Sequence, residues 1–155
     1  MFEERIAELG FELPIPPKPV GSYVPVVIEG DMIYVSGQVP LQSGTVPGIF
    51  KGRVSSIVNI ETAQDAARVC TLNALSQIRA ALGSLDRIKR FIRISGFVNS
   101  DPSFIDQPRI INAASDMLVD IFGDAGKHSR LAIGVSSLPL GSAIEIELLA
   151  KANKI

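Results

Sequence analysis

The longest regular pattern in the chain constrains everything around it. Between Glu61 and Leu82, Ala63, Ala67, Cys70, Ala74, Ile78 and Ala81 recur at steps of three and four residues, the stripe of a helix with one buried face. Most of the stripe is alanine, so whatever covers it must approach closely, and a flat β-sheet can do so along the whole length. Gly83 supplies the stop.

The flanking segments supply the strands. Tyr23 to Ile28 and Met32 to Ser36 are rich in β-branched and aromatic residues, and Glu29-Gly30-Asp31 between them has the chemistry of a hairpin turn. Gln42 to Phe50, rich in Gly, Ser and Pro, reads as a loop. Arg87 to Val98 reads as a strand, with apolar bulk from Ile88, Phe91 and Phe97. Pro108 sits early in a second helix, which runs to Phe122 with Ile110, Ala114, Leu118 and Ile121 on one face and stops at Gly123. Two last strands, Ser129 to Val135 and Ala143 to Leu149, flank the turn residues Leu138-Pro139-Leu140-Gly141. The order β-β-α-β-α-β-β predicts an α+β domain with both long helices on one face of one sheet.

Ahead of this lie a short amphipathic helix from Phe2 to Leu9, read as an appendage, and a surface connector that Pro14, Pro16, Pro17 and Pro19 keep extended. The division is a helix and proline-rich connector over 1–20 and a domain over 21–155. At 155 residues the chain has the size of one domain and needs no covalent staple. Cys70, the sole cysteine, can form no intrachain disulfide and reads as a small buried apolar residue.

Composition narrows the function classes. A formal charge of -1 with scattered acids and bases leaves no footprint for nucleic acid or an anionic membrane. The start of the chain lacks a secretory pattern and no apolar run is long enough to span a bilayer, so the expectation is a soluble cytoplasmic protein. Apolar content of 46% is high for a small monomer and fits an oligomer that hides an apolar face. The sequence lacks GxxxxGK[ST], GxSxG and GxGxxG, and one histidine with one cysteine cannot make a structural zinc set, so neither nucleotide chemistry nor a metal is expected.

Individual residues stand out. Arg130 precedes Leu131, Ala132 and Ile133 in a strand, where a permanent charge needs an anionic partner: a ligand carboxylate, or Glu145 or Glu147. Glu145 and Glu147 share one face of the last strand, opposite Ile144, Ile146 and Leu148. Tyr23 can orient a ligand through its hydroxyl or simply pack, and Asn112 can bind or be solvated. His128 can carry a proton or bond the backbone as a loop residue.

Taken together, Gly21-Ser22-Tyr23, Tyr34-Val35-Ser36-Gly37-Gln38-Val39-Pro40, and Leu138-Pro139 followed by Ile144-Glu145-Ile146-Glu147 resemble the signatures of the YjgF/Rid family, from about Gly21 to the end of the chain. Phe104, Asn112 and Arg130 match family positions as well. The resemblance implies a mixed sheet backed by two helices, like chorismate mutase of the bacterial trimeric type, and a homotrimer with clefts between subunits. It implies hydrolysis of small 2-imino or enamine acids, such as 2-aminoacrylate, to 2-keto acids and ammonia without a cofactor. Arg130 would then hold the substrate carboxylate and Glu145 a water, with Tyr23, Ser36, Asn112 and His128 lining the site. A non-catalytic trimer binding a small carboxylate metabolite is the alternative. A ribonuclease, the other label of the family, fits less well with a near-neutral chain holding one histidine. The chain departs from the deaminase branch where that branch has Pro-Ala-Arg and Tyr-Ser-Gln and this one has His128-Ser129-Arg130 and Tyr23-Val24-Pro25. The N-terminal helix, Ala66-Ala67-Arg68 and Gly123 to Arg130 are similar to a longer branch whose substrate the resemblance does not supply.

Overall fold

The computed structural model describes residues 1–19 and 21–154; Val20, the end of the expected connector, and Ile155, the end of the expected domain, lie outside the described residues. Elements follow the order α1 (Phe2–Glu8), β1 (Val26–Glu29), β2 (Met32–Gln38), α2 (Ile60–Leu82), β3 (Ile88–Asn99), α3 (Gln107–Phe122), β4 (Ser129–Val135) and β5 (Ile144–Ala152). Five strands form one mixed sheet in the order β1-β2-β5-β3-β4, antiparallel throughout except for the parallel pair β3 and β4. This is the expected α+β class. The two strands around the Leu138–Gly141 turn do not pair with each other, because β3 lies between them. The parallel pair is linked through α3, which packs back on the sheet as a βαβ connection requires.

α2 begins at Asn59, whose side chain accepts the Thr62 amide proton at 2.8 Å, and ends at Gly83. Ala63, Ala67, Cys70, Ala74 and Ile78 are fully buried as the stripe requires, and the Cys70 thiol meets the Ile144 carbonyl at 3.8 Å. Ala81 is a correction: it is exposed, and Leu82, four residues after Ile78, takes the last buried place. From Cys70 to Ile78 every residue is buried, so α2 is covered on more than one face. The polar residues among them turn to carbonyl oxygens: Thr71 donates to Ala67, Ser76 to Asn73, Asn73 to Val39 and Leu41, and Gln77 to Pro17. The last of these fixes the proline-rich segment to the helix.

α1 is more than an appendage. Ile6 is buried in the core, and the Phe2 ring lies 4.6 Å from that of Phe122 at the end of α3. Helices cover one face of the sheet. The other carries Val27, Tyr34 and Ile133, which are 48%, 49% and 44% exposed. No helix among the described residues is long and apolar enough to cross a membrane.

The alanine stripe yields a direct contrast. Ala67→Leu forces a larger side chain into a filled interface and is expected to cost about 1–3 kcal/mol, whereas Ala81→Leu at the exposed position should stay within about 0.5 kcal/mol of the parent. Urea denaturation with an unchanged slope checks both.

Candidate functional site

The residues singled out in the sequence gather in two places. The first is at the edge strand β4. Arg130 is in register with Ile94 of β3, which is in register with Leu148 of β5, and both of those are buried beneath the helices. Arg130 therefore lies on the helix-covered face, and its Nη1 donates to Asn112 Oδ1 at 2.8 Å and to Ser115 Oγ at 3.2 Å. Asn112 and Ser115 are one turn apart on α3, so one helix edge presents both acceptors. Nε and Nη2 of Arg130 have no protein partner among the described residues.

Ser115 joins this arginine to the only histidine. Its Oγ lies 2.9 Å from His128 Nε2, while Nδ1 of the same ring lies 2.6 Å from the Gly126 carbonyl. His128 is thus both a loop residue bonded to the backbone and a neighbour of the Arg130 group. Gly126 makes this placement possible, since a Cβ there would fall into the main chain of Leu118 and Val119.

The second group surrounds Glu145 on the open face. Between Val35↔Leu148 and Gln38↔Ile146, β2 advances three residues while β5 advances two, a bulge at Ser36 and Gly37. The bulge sets Gly37 directly against the Glu145 carboxylate, where a Cβ would clash with Oε1. Ser36 donates its hydroxyl to the Val24 carbonyl at 2.7 Å and its amide to the Pro25 carbonyl at 2.9 Å, which ties the segment after Tyr23 to β2. Tyr23, Ser36, Gly37, Val39, Pro139, Leu140 and Glu145 line a cleft of about 530 Å³. Burial, helped by the nearby Glu147 carboxylate, holds the Glu145 carboxyl above the ordinary carboxylate range.

One chain does not bring Arg130 and Glu145 together. Glu145 is in register with Phe97 and through it with Ile133, three residues along β4 from Arg130 and on the opposite face. Two strand spacings and three residues put the Cα atoms about 14 Å apart. An internal ion pair of Arg130 with Glu145 is therefore excluded, and none with Glu147 exists among the described residues, where Glu147 instead accepts from Ser95 at 3.5 Å. Sequence reading missed Ser115 and Gly37. The first had a signal in its three-residue spacing from Asn112; the bulge that gives Gly37 its role had none. Among the described residues no three His, Cys, Asp or Glu side chains gather as a metal site.

Comparison with known proteins gives the family. Residues 3–152 match the family described as "YjgF/chorismate_mutase-like, putative endoribonuclease". The chain is 41% identical over 150 residues to protein TCP17 of Trypanosoma cruzi, covering 96% of this chain and 92% of that protein. The crystal structure of protein Atu1372 of Agrobacterium tumefaciens, of unknown function, is similar at 40% identity and a TM-score of 0.91, over 98% of this chain and 92% of that one. Escherichia coli TdcF, solved with bound serine, is similar at 26% identity and a TM-score of 0.63, over 90% of this chain and 94% of that one.

The bulge generates a test of the cleft. Gly37→Ala meets only the flexible end of Glu145, so stability should change by less than about 1 kcal/mol while the carboxylate swings away from its present position. A crystal structure of the variant showing Glu145 unmoved would count against this account of Gly37.

Proposed function

Because the chain belongs to the YjgF/chorismate mutase-like family, we propose that it is a homotrimer whose clefts hydrolyse small 2-imino or enamine acids to 2-keto acids and ammonia. The observation that carries this reading is Arg130: a guanidinium positioned by two neutral acceptors, with Nε and Nη2 unused by protein among the described residues. A planar pair of donors fits a carboxylate in two-point fashion. The serine bound to TdcF, a molecule with a carboxylate beside an amino-bearing carbon, supports the same ligand class.

Assembly supplies what one chain lacks. In a closed ring of three, contacts are head to tail, and the β4 edge of one subunit meets the Glu145 cleft of the next. The apolar open face, with Val27, Tyr34 and Ile133 exposed, favours such an association. In the composite site Arg130 clamps the carboxylate, Tyr23 orients the substrate, and Glu145 takes a proton from a water that attacks the imine carbon. Nitrogen leaves as ammonia, and no cofactor takes part. The endoribonuclease label has little physical support here, given a formal charge of -1 and a sole histidine already bonded to Ser115 and Gly126.

Ammonia release from dehydratase-generated 2-aminoacrylate tests the activity. Arg130→Ala and Glu145→Gln should each lower kcat/KM by about 100-fold or more, and a parent protein no faster than the uncatalysed background would sink the proposal. If small carboxylates still raise its Tm in that case, the non-catalytic binding trimer takes its place. Mixing the two inactive variants in equal amounts should restore activity at about a quarter of the sites, those that draw Arg130 from one variant and Glu145 from the other.

The pH dependence has a definite sign. Glu145 acts as a base only when ionised, so activity should fall on acidification through a value above the ordinary 4.5. A carboxyl whose folded pKa is raised contributes stability below its unfolded pKa and loses it as pH rises through the folded value. Glu145→Gln should therefore unfold at a higher temperature than the parent near neutral pH, by roughly 1–3 °C, and lose that advantage in acid. A calorimetric pH series measures the difference.

A further inference from the structure

We propose that Ser115 and His128 form a proton relay at the Arg130 end of the site, serving the step in which the tetrahedral intermediate breaks down to the 2-keto acid. This deepens the deaminase reading and rests on it.

The Gly126 carbonyl can only accept, so His128 Nδ1, 2.6 Å away, carries a proton in every charge state of the ring. In the neutral ring Nε2 is then a bare lone pair. It faces Ser115 Oγ at 2.9 Å, and that hydroxyl must be the donor. The serine oxygen in turn accepts from Arg130 Nη1 at 3.2 Å, since a guanidinium has no lone pair to offer. The chain Arg130 to Ser115 to His128 to Gly126 thus runs in one direction only. A hydroxyl with a histidine base behind it, and an acceptor fixing the tautomer behind that, is the arrangement by which proteins make a serine oxygen basic. Here it stands beside the guanidinium that would hold the substrate carboxylate.

The reaction needs a second base. Attack of water on the protonated imine gives a carbinolamine after Glu145 has taken one water proton; Glu145 returns that proton to the nitrogen. To break down, the intermediate must lose its hydroxyl proton while the C–N bond breaks with its electron pair going to nitrogen. Ser115 Oγ takes this proton and passes its own to His128 Nε2. The carbonyl forms from the O–H electron pair, ammonia departs, and the imidazolium releases its proton to solvent. Protons balance with no other reactant. The charged groups around the ring are Arg130 of β4, Lys127 beside it and paired with Asp124 at 2.7 Å, Arg90 of β3 with its guanidinium on the Lys127 carbonyl, and Asp116 of α3 next to Ser115.

Steady-state kinetics on 2-aminoacrylate with full-length variants tests the relay. Ser115→Ala should lower kcat by roughly 10- to 100-fold with little change in KM, and Ser115→Thr, which keeps a hydroxyl, should recover most of the rate. His128→Asn retains a donor at the Nδ1 position for Gly126 and removes the Nε2 base, so it should match Ser115→Ala and show a shallower acid limb of the pH profile than the parent. An active parent whose Ser115→Ala and His128→Asn variants keep its kcat and pH profile overturns the relay alone. So does a rise in KM at constant kcat, which would make Ser115 only a support for Arg130. A parent with no deaminase activity removes the reading beneath it and the relay together.

Discussion

Every layer of this fold is referenced to α2. Its alanine stripe lets the sheet approach, with the Cys70 thiol against the Ile144 carbonyl, while α3 covers a second side and the proline-rich segment a third. Because nine consecutive residues from Cys70 to Ile78 are buried, the polar ones must find acceptors, and the acceptors they find include Pro17, Val39 and Leu41. Of these, Val39 also lines the Glu145 cleft. The core and the cleft therefore share a residue: a change in helix position that moves Val39 also moves part of the cleft wall.

The sheet order has a similar reach. Placing β5 between β2 and β3 puts Glu145 in the middle of the open face, and leaves β4 as an edge with Arg130 turned to the helices. A positive group and a raised carboxyl are kept apart within each chain, so neither neutralises the other. A ligand with a carboxylate at one end and an electrophilic carbon at the other is what a meeting of such half-sites would suit.

Much of this architecture was legible in the residues. Periodicity gave both long helices to within a residue or two, and β-branched runs with Gly-rich turns gave all five strands. The misses share a cause. Ala81 falls outside the core because an alanine at a helix end carries too little apolar surface for its spacing alone to decide its side. Phe2 packs on Phe122, more than a hundred residues away, and Ile6 joins the core from the same short helix; such long-range packing leaves no local pattern. For the site, the types were readable and their grouping was not: alternation put Glu145 and Glu147 on one face, but only the pairing of β4 with β3 shows Arg130 on the other. Gly37 stands only as one letter of a signature until the bulge sets it against a carboxylate.

The carbonyl that orients His128 carries a consequence of its own. Many paired histidines are aimed by an aspartate, whose grip fades when acid neutralises it or salt screens it. Gly126 offers a main-chain oxygen, wedged against α3 where no larger residue fits, and that oxygen has no charge to lose. The ring's bearing is therefore set by a main-chain hydrogen bond that neither acid nor salt can strip of a charge.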